Sequence, residues 1–94
     1  MNARITSRNG GTSEVATSNT GATFVPLPAF PATQVTLFNY SGSKIDWRIG
    51  SGSFIELNTG TAVQVNGLVN SSQVFVRRTD QVGTPVTVKF HFAD

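Results

Sequence analysis

Residues 85–92 read Pro-Val-Thr-Val-Lys-Phe-His-Phe. Successive side chains of a β-strand point to opposite faces, so the apolar residues at 86, 88, 90 and 92 share one face. The polar residues at 87, 89 and 91 share the other. An apolar face opposite a polar face is typical of an antiparallel strand that packs one side on a core. The stretch therefore predicts a strand whose valines and phenylalanines point inward.

Further stretches with strand character precede it, at residues 34–40, 44–49, 53–57, 61–65 and 72–78. In residues 44–49, isoleucine and tryptophan alternate with Lys44, Asp46 and Arg48, which predicts that these charged side chains face solvent. Turn signals rich in Ser, Gly and Asn recur at intervals of about 8–12 residues, and no stretch has a helical apolar period. We predict an all-β chain, a small antiparallel β-sandwich. The pattern leaves a jelly roll, an immunoglobulin-like sandwich and a small barrel open.

The N-terminal part differs in composition. Residues 1–23 are small and polar and cannot bury enough apolar surface to offset their ordering cost, so we predict a flexible or extended arm there. The single β-sandwich domain is expected over residues 24–94. Its first segment, residues 24–31, contains three prolines and should run as an extended strap at a sheet edge. Phe24, Leu27 and Phe30 are too apolar for a free linker, and we expect them to pack on the body or on a partner.

Composition limits the possible functions. The chain has 94 residues, no cysteine, 13% charged residues and a formal net charge of +2. A disulfide framework and a thiolate metal site are excluded, and so small a charge does not argue for nucleic acid by itself. No apolar run approaches the ~20 residues that span a membrane, so no membrane partner is expected. A modest core without cross-links favours oligomerisation, and we expect a homo-oligomer.

The residues do not form a catalytic constellation. His91 is the one histidine, and strand alternation puts it on the solvent side. The acidic residues are scattered over the arm, different strands and loops, and the C-terminus, which predicts ion pairs rather than paired catalytic carboxylates or metal ligands. We therefore predict a non-enzymatic protein with no catalytic site, no metal site and no cofactor.

Candidate binding residues are few. Trp47 shares a face with Ile45 and Ile49 and is expected in the core, whereas Tyr40, at a strand end beside a turn, is the better candidate for an exposed aromatic contact. Arg77 and Arg78 follow Phe75, which mixes basic and aromatic residues as single-strand nucleic-acid binders do. A dedicated nucleic-acid binder would normally show more Lys and Arg and several exposed aromatic residues on one face. Nucleic acid is therefore not the expected partner.

The pattern of strands and turns in residues 34–92 resembles that of short β-rich accessory proteins of tailed-phage particles, above all capsid decoration (cement) proteins. The resemblance lies in residues 35–42, 45–48, 65–68 and 73–78. It implies a β-sandwich on the capsid exterior, made in the host cytoplasm and often trimeric, that bridges and stabilises major capsid protein subunits. It also implies an N-terminal arm that clamps a neighbouring subunit. The expected partner contacts are Arg4, Ile5, Arg8, Phe24, Leu27, Phe30, Tyr40, Arg77 and Arg78.

Two other functions remain open at this point. The first is a tail-associated or surface adhesive module that binds host carbohydrate or another receptor through a shallow polar groove with Tyr40 as its aromatic contact. The second is a single-stranded nucleic-acid binder that uses Phe75, Arg77 and Arg78, with an affinity that falls steeply with salt.

Overall fold

The computed structural model describes residues 10–94. This part of the chain contains one short 3₁₀ helix, Ser71–Gln73, and eight β-strands: β1 Gly11–Ala16, β2 Val25–Pro26, β3 Gln34–Asn39, β4 Ile45–Ile49, β5 Ile55–Leu57, β6 Thr61–Asn66, β7 Val74–Arg78 and β8 Thr87–Ala93. The prediction of an all-β chain is confirmed.

The strands form two four-stranded antiparallel sheets. Sheet I has the order β1-β8-β3-β6, and sheet II has the order β2-β7-β4-β5. The pairs β1–β8, β2–β7, β3–β6 and β4–β5 nest inside one another along the chain. Nested pairing of eight strands in two sheets is the arrangement of a jelly roll. The predicted antiparallel β-sandwich is confirmed, and the strand order resolves the topology that the sequence left open.

The core lies between the two sheets and follows the alternation expected from the sequence. Val88 and Phe90 of β8 are fully buried, and Phe92 is buried beside them. The same layer contains Val35 and Leu37 of β3, with Val74 and Val76 of β7 opposite. Each inward side chain of this size contributes about 1.5–3 kcal/mol by leaving water.

Strand β4 departs from its predicted pattern at both ends. Asp46, expected in solvent, is 1% exposed, whereas Ile49, expected in the core, is 43% exposed. Asp46 lies opposite Arg77 in the β4–β7 register, and its carboxylate accepts hydrogen bonds from Arg77 Nε at 2.9 Å and Thr79 Oγ1 at 2.7 Å. A carboxylate with these partners can be buried on the outer face. Ile45 is buried and Trp47 half-buried against the core, as predicted.

The N-terminal boundary also departs from the prediction. Strand β1 lies inside the segment expected to be an arm, yet it pairs along its whole length with β8. Val15 is buried, and Thr17 exchanges two hydrogen bonds with the backbone of Val86. An edge strand forms its backbone hydrogen bonds with the neighbouring strand. Strand β1 is therefore ordered with a single buried valine, although its low apolar content predicted a flexible or extended segment. The sandwich therefore includes Gly11, while Arg4, Ile5 and Arg8 lie outside the described residues.

The loop after β1 is fitted closely to the loop after β7. Gly21 has a φ of +76°, and a Cβ atom placed there would lie 2.1 Å from the carbonyl oxygen of Gln81. Only glycine adopts this conformation without a steric conflict. Residues 17–23 therefore lie against the body of their own chain and not, as the arm prediction had it, in a flexible or extended arm.

The proline-rich strap packs on its own chain. Leu27 is buried in the core, and the Phe30 ring stacks on Phe92 with centroids 4.2 Å apart. Ser71, fully buried, donates a hydrogen bond to the Pro28 carbonyl and accepts one from the Phe30 amide. Leu27 and Phe30 therefore pack on the body, the first of the two alternatives that the sequence left open.

Candidate binding surfaces

The outer face of sheet I contains a shallow groove around two aromatic rings. We call it the aromatic groove: a hollow of about 430 Å³ lined by Phe38, Tyr40, Ser41, Val86, Thr87 and Lys89. A neighbouring hollow of about 450 Å³, which we include in the aromatic groove, shares Phe38, Tyr40 and Lys89 and reaches Glu14 of β1. The register explains the lining, because Lys89 of β8 lies opposite Phe38 of β3 on one side and Glu14 of β1 on the other.

The aromatic pair is the most prominent part of this groove. The Phe38 and Tyr40 rings lie 6.5 Å apart between centroids at an angle of 15°, and Tyr40 is 71% exposed. The prediction that Tyr40 is an exposed aromatic side chain is confirmed. Rings presented in this way offer a large apolar area with few rotamers to immobilise, which favours contact with a partner.

Asn39 fixes the backbone of the turn that contains Tyr40. Its side chain is fully buried, and its Nδ2 donates to the carbonyls of Ser43 and Leu57 at 2.8 and 2.9 Å. Its Oδ1 accepts hydrogen bonds from the amide and hydroxyl of Ser41. The turn that follows β3 is therefore held by side-chain bonds on both sides of Tyr40. A groove held in this way loses little entropy when a partner binds.

Two opposite charges flank the rings without being paired. The ion pairs among residues 10–94 are Lys44–Glu56, Arg77–Asp46 and Arg78–Asp80, so neither Lys89 nor Glu14 takes part in one. Both side chains are exposed on the same face. They can offer a cationic and an anionic hydrogen-bonding group to whatever covers the rings.

The outer face of sheet II has a different character. The guanidinium carbons of Arg48 and Arg77 lie 3.9 and 4.4 Å from the centroid of the Phe24 ring, and Phe54 packs 6.2 Å from the same ring. Arg77 is neutralised by Asp46, whereas Arg48 forms no ion pair among the described residues. Its buried Nε also lacks a hydrogen-bond partner. The Phe24 ring therefore packs against the guanidinium groups of Arg48 and Arg77 in its own chain.

Arg77 and Arg78, which the sequence named together as expected partner contacts, do not present their charges on one surface. Adjacent strand residues point to opposite faces, so Arg77 reaches Asp46 while Arg78 donates two hydrogen bonds to the carboxylate of Asp80. The hydrogen bond from Arg78, with a further one from the Val82 amide, lowers the pKa of the exposed Asp80 carboxyl below its ordinary value. Both guanidinium groups are used within the chain.

The described residues contain no cluster of three His, Cys, Asp or Glu side chains that could hold a metal ion. His91 lies in sheet I between Thr12 and Thr36 and is half-buried. No helix in residues 10–94 is long and apolar enough to cross a membrane. The absence of enzymatic activity and of cofactors stays a prediction.

No protein-family model and no curated protein sequence matches the chain. Among solved structures, the chain is similar to a cupin-2 domain containing protein from Shewanella frigidimarina, with a TM-score of 0.53 and 7% sequence identity. The match covers 100% of this chain and 85% of that one. At this identity the similarity concerns the fold alone, and it agrees with a small β-sandwich.

Sequence reasoning found Tyr40 but missed the rest of the groove. Phe38, Lys89 and Glu14 lie far apart in the chain, and only the strand order β1-β8-β3 brings them together. The available signal was alternation, which placed Phe38 with Tyr40 on one face and Lys89 on an outer face. Alternation says nothing about which strands are neighbours, so the three could not be assembled into one surface.

Proposed function

We propose that this chain is a non-enzymatic decoration (cement) protein of a tailed-phage capsid, which docks on the major capsid protein through the aromatic groove. The single observation that carries the proposal is the exposed Tyr40 ring, stacked on Phe38 on a weakly charged outer face. The jelly-roll frame is compatible with it, because viral capsid domains use this architecture. The fold alone does not establish the function.

The chemistry of the groove suits a protein partner. Tyrosine is enriched among the residues that dominate binding energy at protein interfaces, especially where a polar rim excludes water. The rim here consists of Ser41, Thr87, Lys89 and Glu14. Few charges must be desolvated when this face is covered. On a capsid many copies bind at once, so each contact can be individually weak.

Replacing Tyr40 with alanine should weaken docking on capsid shells without unfolding the chain. Loss of an interface anchor costs about 2 kcal/mol or more, which corresponds to roughly a 30-fold higher Kd. Because the side chain is 71% exposed, the melting temperature should change little. The measurement is co-sedimentation of the full chain with shells assembled from the cognate major capsid protein.

The control for this experiment is Val69→Ala. Val69 is 80% exposed and does not line the groove, so its truncation should leave docking unchanged. Equal binding by the wild-type chain and the Tyr40 variant would contradict the proposed docking site. An absence of any saturable binding would contradict the decoration function itself.

A second candidate function is carbohydrate binding by a surface or tail-associated module. It is favoured by the combination of an exposed aromatic pair with hydroxyl, ammonium and carboxylate groups in one shallow groove. Such a groove offers a sugar both an apolar ring surface and polar partners, and lectin domains also use jelly rolls.

A glycan array distinguishes the two functions. If the groove binds sugars, the full chain should bind a restricted set of glycans, and both Tyr40→Ala and Lys89→Ala should remove that binding. The Val69→Ala variant should retain it. A chain that binds shells but no glycan would leave decoration as the function, and a glycan-selective chain that ignores shells would replace it.

A further inference from the structure

In the part of the chain that the structure describes, four strands form the edges of the sandwich, two in each sheet. An edge strand presents unpaired backbone N–H and C=O groups, which makes it a template for pairing with another chain unless something blocks it. The usual blocks are short length, proline, an inserted charge or a covering loop. The four edges of this chain differ in which of these blocks they contain.

Three of the edges carry a block. Strand β2 is two residues long and contains Pro26. Strand β5 is three residues long and contains Glu56, which pairs with Lys44. Strand β1 is six residues long but carries the exposed Glu14 at its centre, without an ion-pair partner among the described residues.

Strand β6 is neither short nor interrupted by proline or charge. Its six residues read Thr-Ala-Val-Gln-Val-Asn, without proline, glycine or charge, and Thr, Val and Gln dominate it. Among residues 10–94 it pairs with β3 on one side alone. Its outward residues, Ala62, Gln64 and Asn66, are exposed, and the Gln64 amide donates hydrogen bonds to Gln34 and Asn66. The strand is therefore uncharged and lined with side chains that can hydrogen-bond.

We propose that β6 is the strand through which two copies of this chain pair, antiparallel and about a two-fold axis. Sheet I of the two copies would then form one eight-stranded sheet. In such a pair residue i lies opposite residue j and residue j opposite residue i, so the residue on the axis meets its own copy and its neighbours meet each other. In β6 these are amide and small side chains, which tolerate that proximity, whereas β1 would bring Glu14 near its own copy and be repelled.

This contact leaves the aromatic groove available, because the groove is lined from β1, β3, β8 and the segments next to them. The two-fold pair is an alternative to the trimer that the phage resemblance implies. It does not depend on the proposed docking on capsids, so it can be tested with the purified chain alone.

The absence of cysteine makes a single-cysteine scan possible. Ala62→Cys, Gln64→Cys and Asn66→Cys each place one thiol on β6, and Thr12→Cys places one on the β1 edge of the same face as a control. Cβ atoms that face each other across paired strands approach the spacing of a disulfide. At least one β6 variant should form a disulfide-linked dimer almost completely under mild oxidation, while the Thr12 variant should not.

Light scattering on the unmodified chain supplies the second readout. We expect a mass of two chains, and the double variant Ala62→Lys, Gln64→Lys should raise the dimer dissociation constant about tenfold by opposing like charges. The variant Thr12→Lys should leave it unchanged. A mass of one or of three chains would overturn the proposal, and so would efficient cross-linking at Thr12 with none on β6.

Discussion

Replacing Asp46 with alanine should lower the free energy of unfolding by about 3–5 kcal/mol, because it leaves a largely buried arginine without its counter-charge. The side chain of Asp46 is 1% exposed and that of Arg77 is 15% exposed. Removal of the carboxylate also leaves the Thr79 hydroxyl without its acceptor. Chemical denaturation monitored by the fluorescence of Trp47 measures the loss.

Glu56 provides a matched control for Asp46. It lies opposite Asp46 in the β4–β5 register and pairs with Lys44, but both of its ion-pair side chains are about half exposed. Glu56→Ala should therefore cost less than about 1 kcal/mol. If the two variants lost equal stability, the Asp46–Arg77 ion pair would not stabilise the fold more than an exposed pair does.

The second large effect is expected at Phe90. Phe90 is fully buried on a central strand of sheet I and packs against Phe30 and Phe92. Phe90→Ala should cost about 3–5 kcal/mol through lost burial and the cavity that remains. Domains of this kind have a total stability of about 5–15 kcal/mol, so a large part would be lost.

Phe54 is the control for that substitution, since it is 45% exposed on the outer face of sheet II. Phe54→Ala should cost roughly 1 kcal/mol, because the ring is partly solvated before it is removed. A loss at Phe54 equal to that at Phe90 would contradict the placement of the core between the sheets.

The sequence predicted the strands well where alternation was clean, and less well where polar groups were buried. The inward residues of β8 were identified correctly because one face is apolar throughout. Asp46 was misplaced because alternation assigns it to an outer face, and its burial depends on hydrogen bonds from Arg77 and Thr79. Such partners come from distant strands and leave no local signal.

The same limit applies to the N-terminal boundary and to the groove. Strand β1 pairs with β8, more than seventy residues later in the chain. No sequence pattern near Gly11 therefore predicts this pairing. Tyr40 was recognised because its exposure follows from its position beside a turn. Its neighbours Lys89 and Glu14 were not, because they join Tyr40 only through the jelly-roll strand order.

Hydroxyl-radical footprinting of the chain on capsid shells tests the central claim most directly, since it reports which side chains a partner covers. Shells of the cognate major capsid protein are saturated with the chain, and oxidation of each aromatic residue is compared with that in the free chain. Docking through the aromatic groove predicts strong protection of Tyr40 and Phe38, with Phe54 oxidised as in the free chain. Unchanged oxidation of Tyr40 on saturated shells, or protection confined to Phe54, would contradict it.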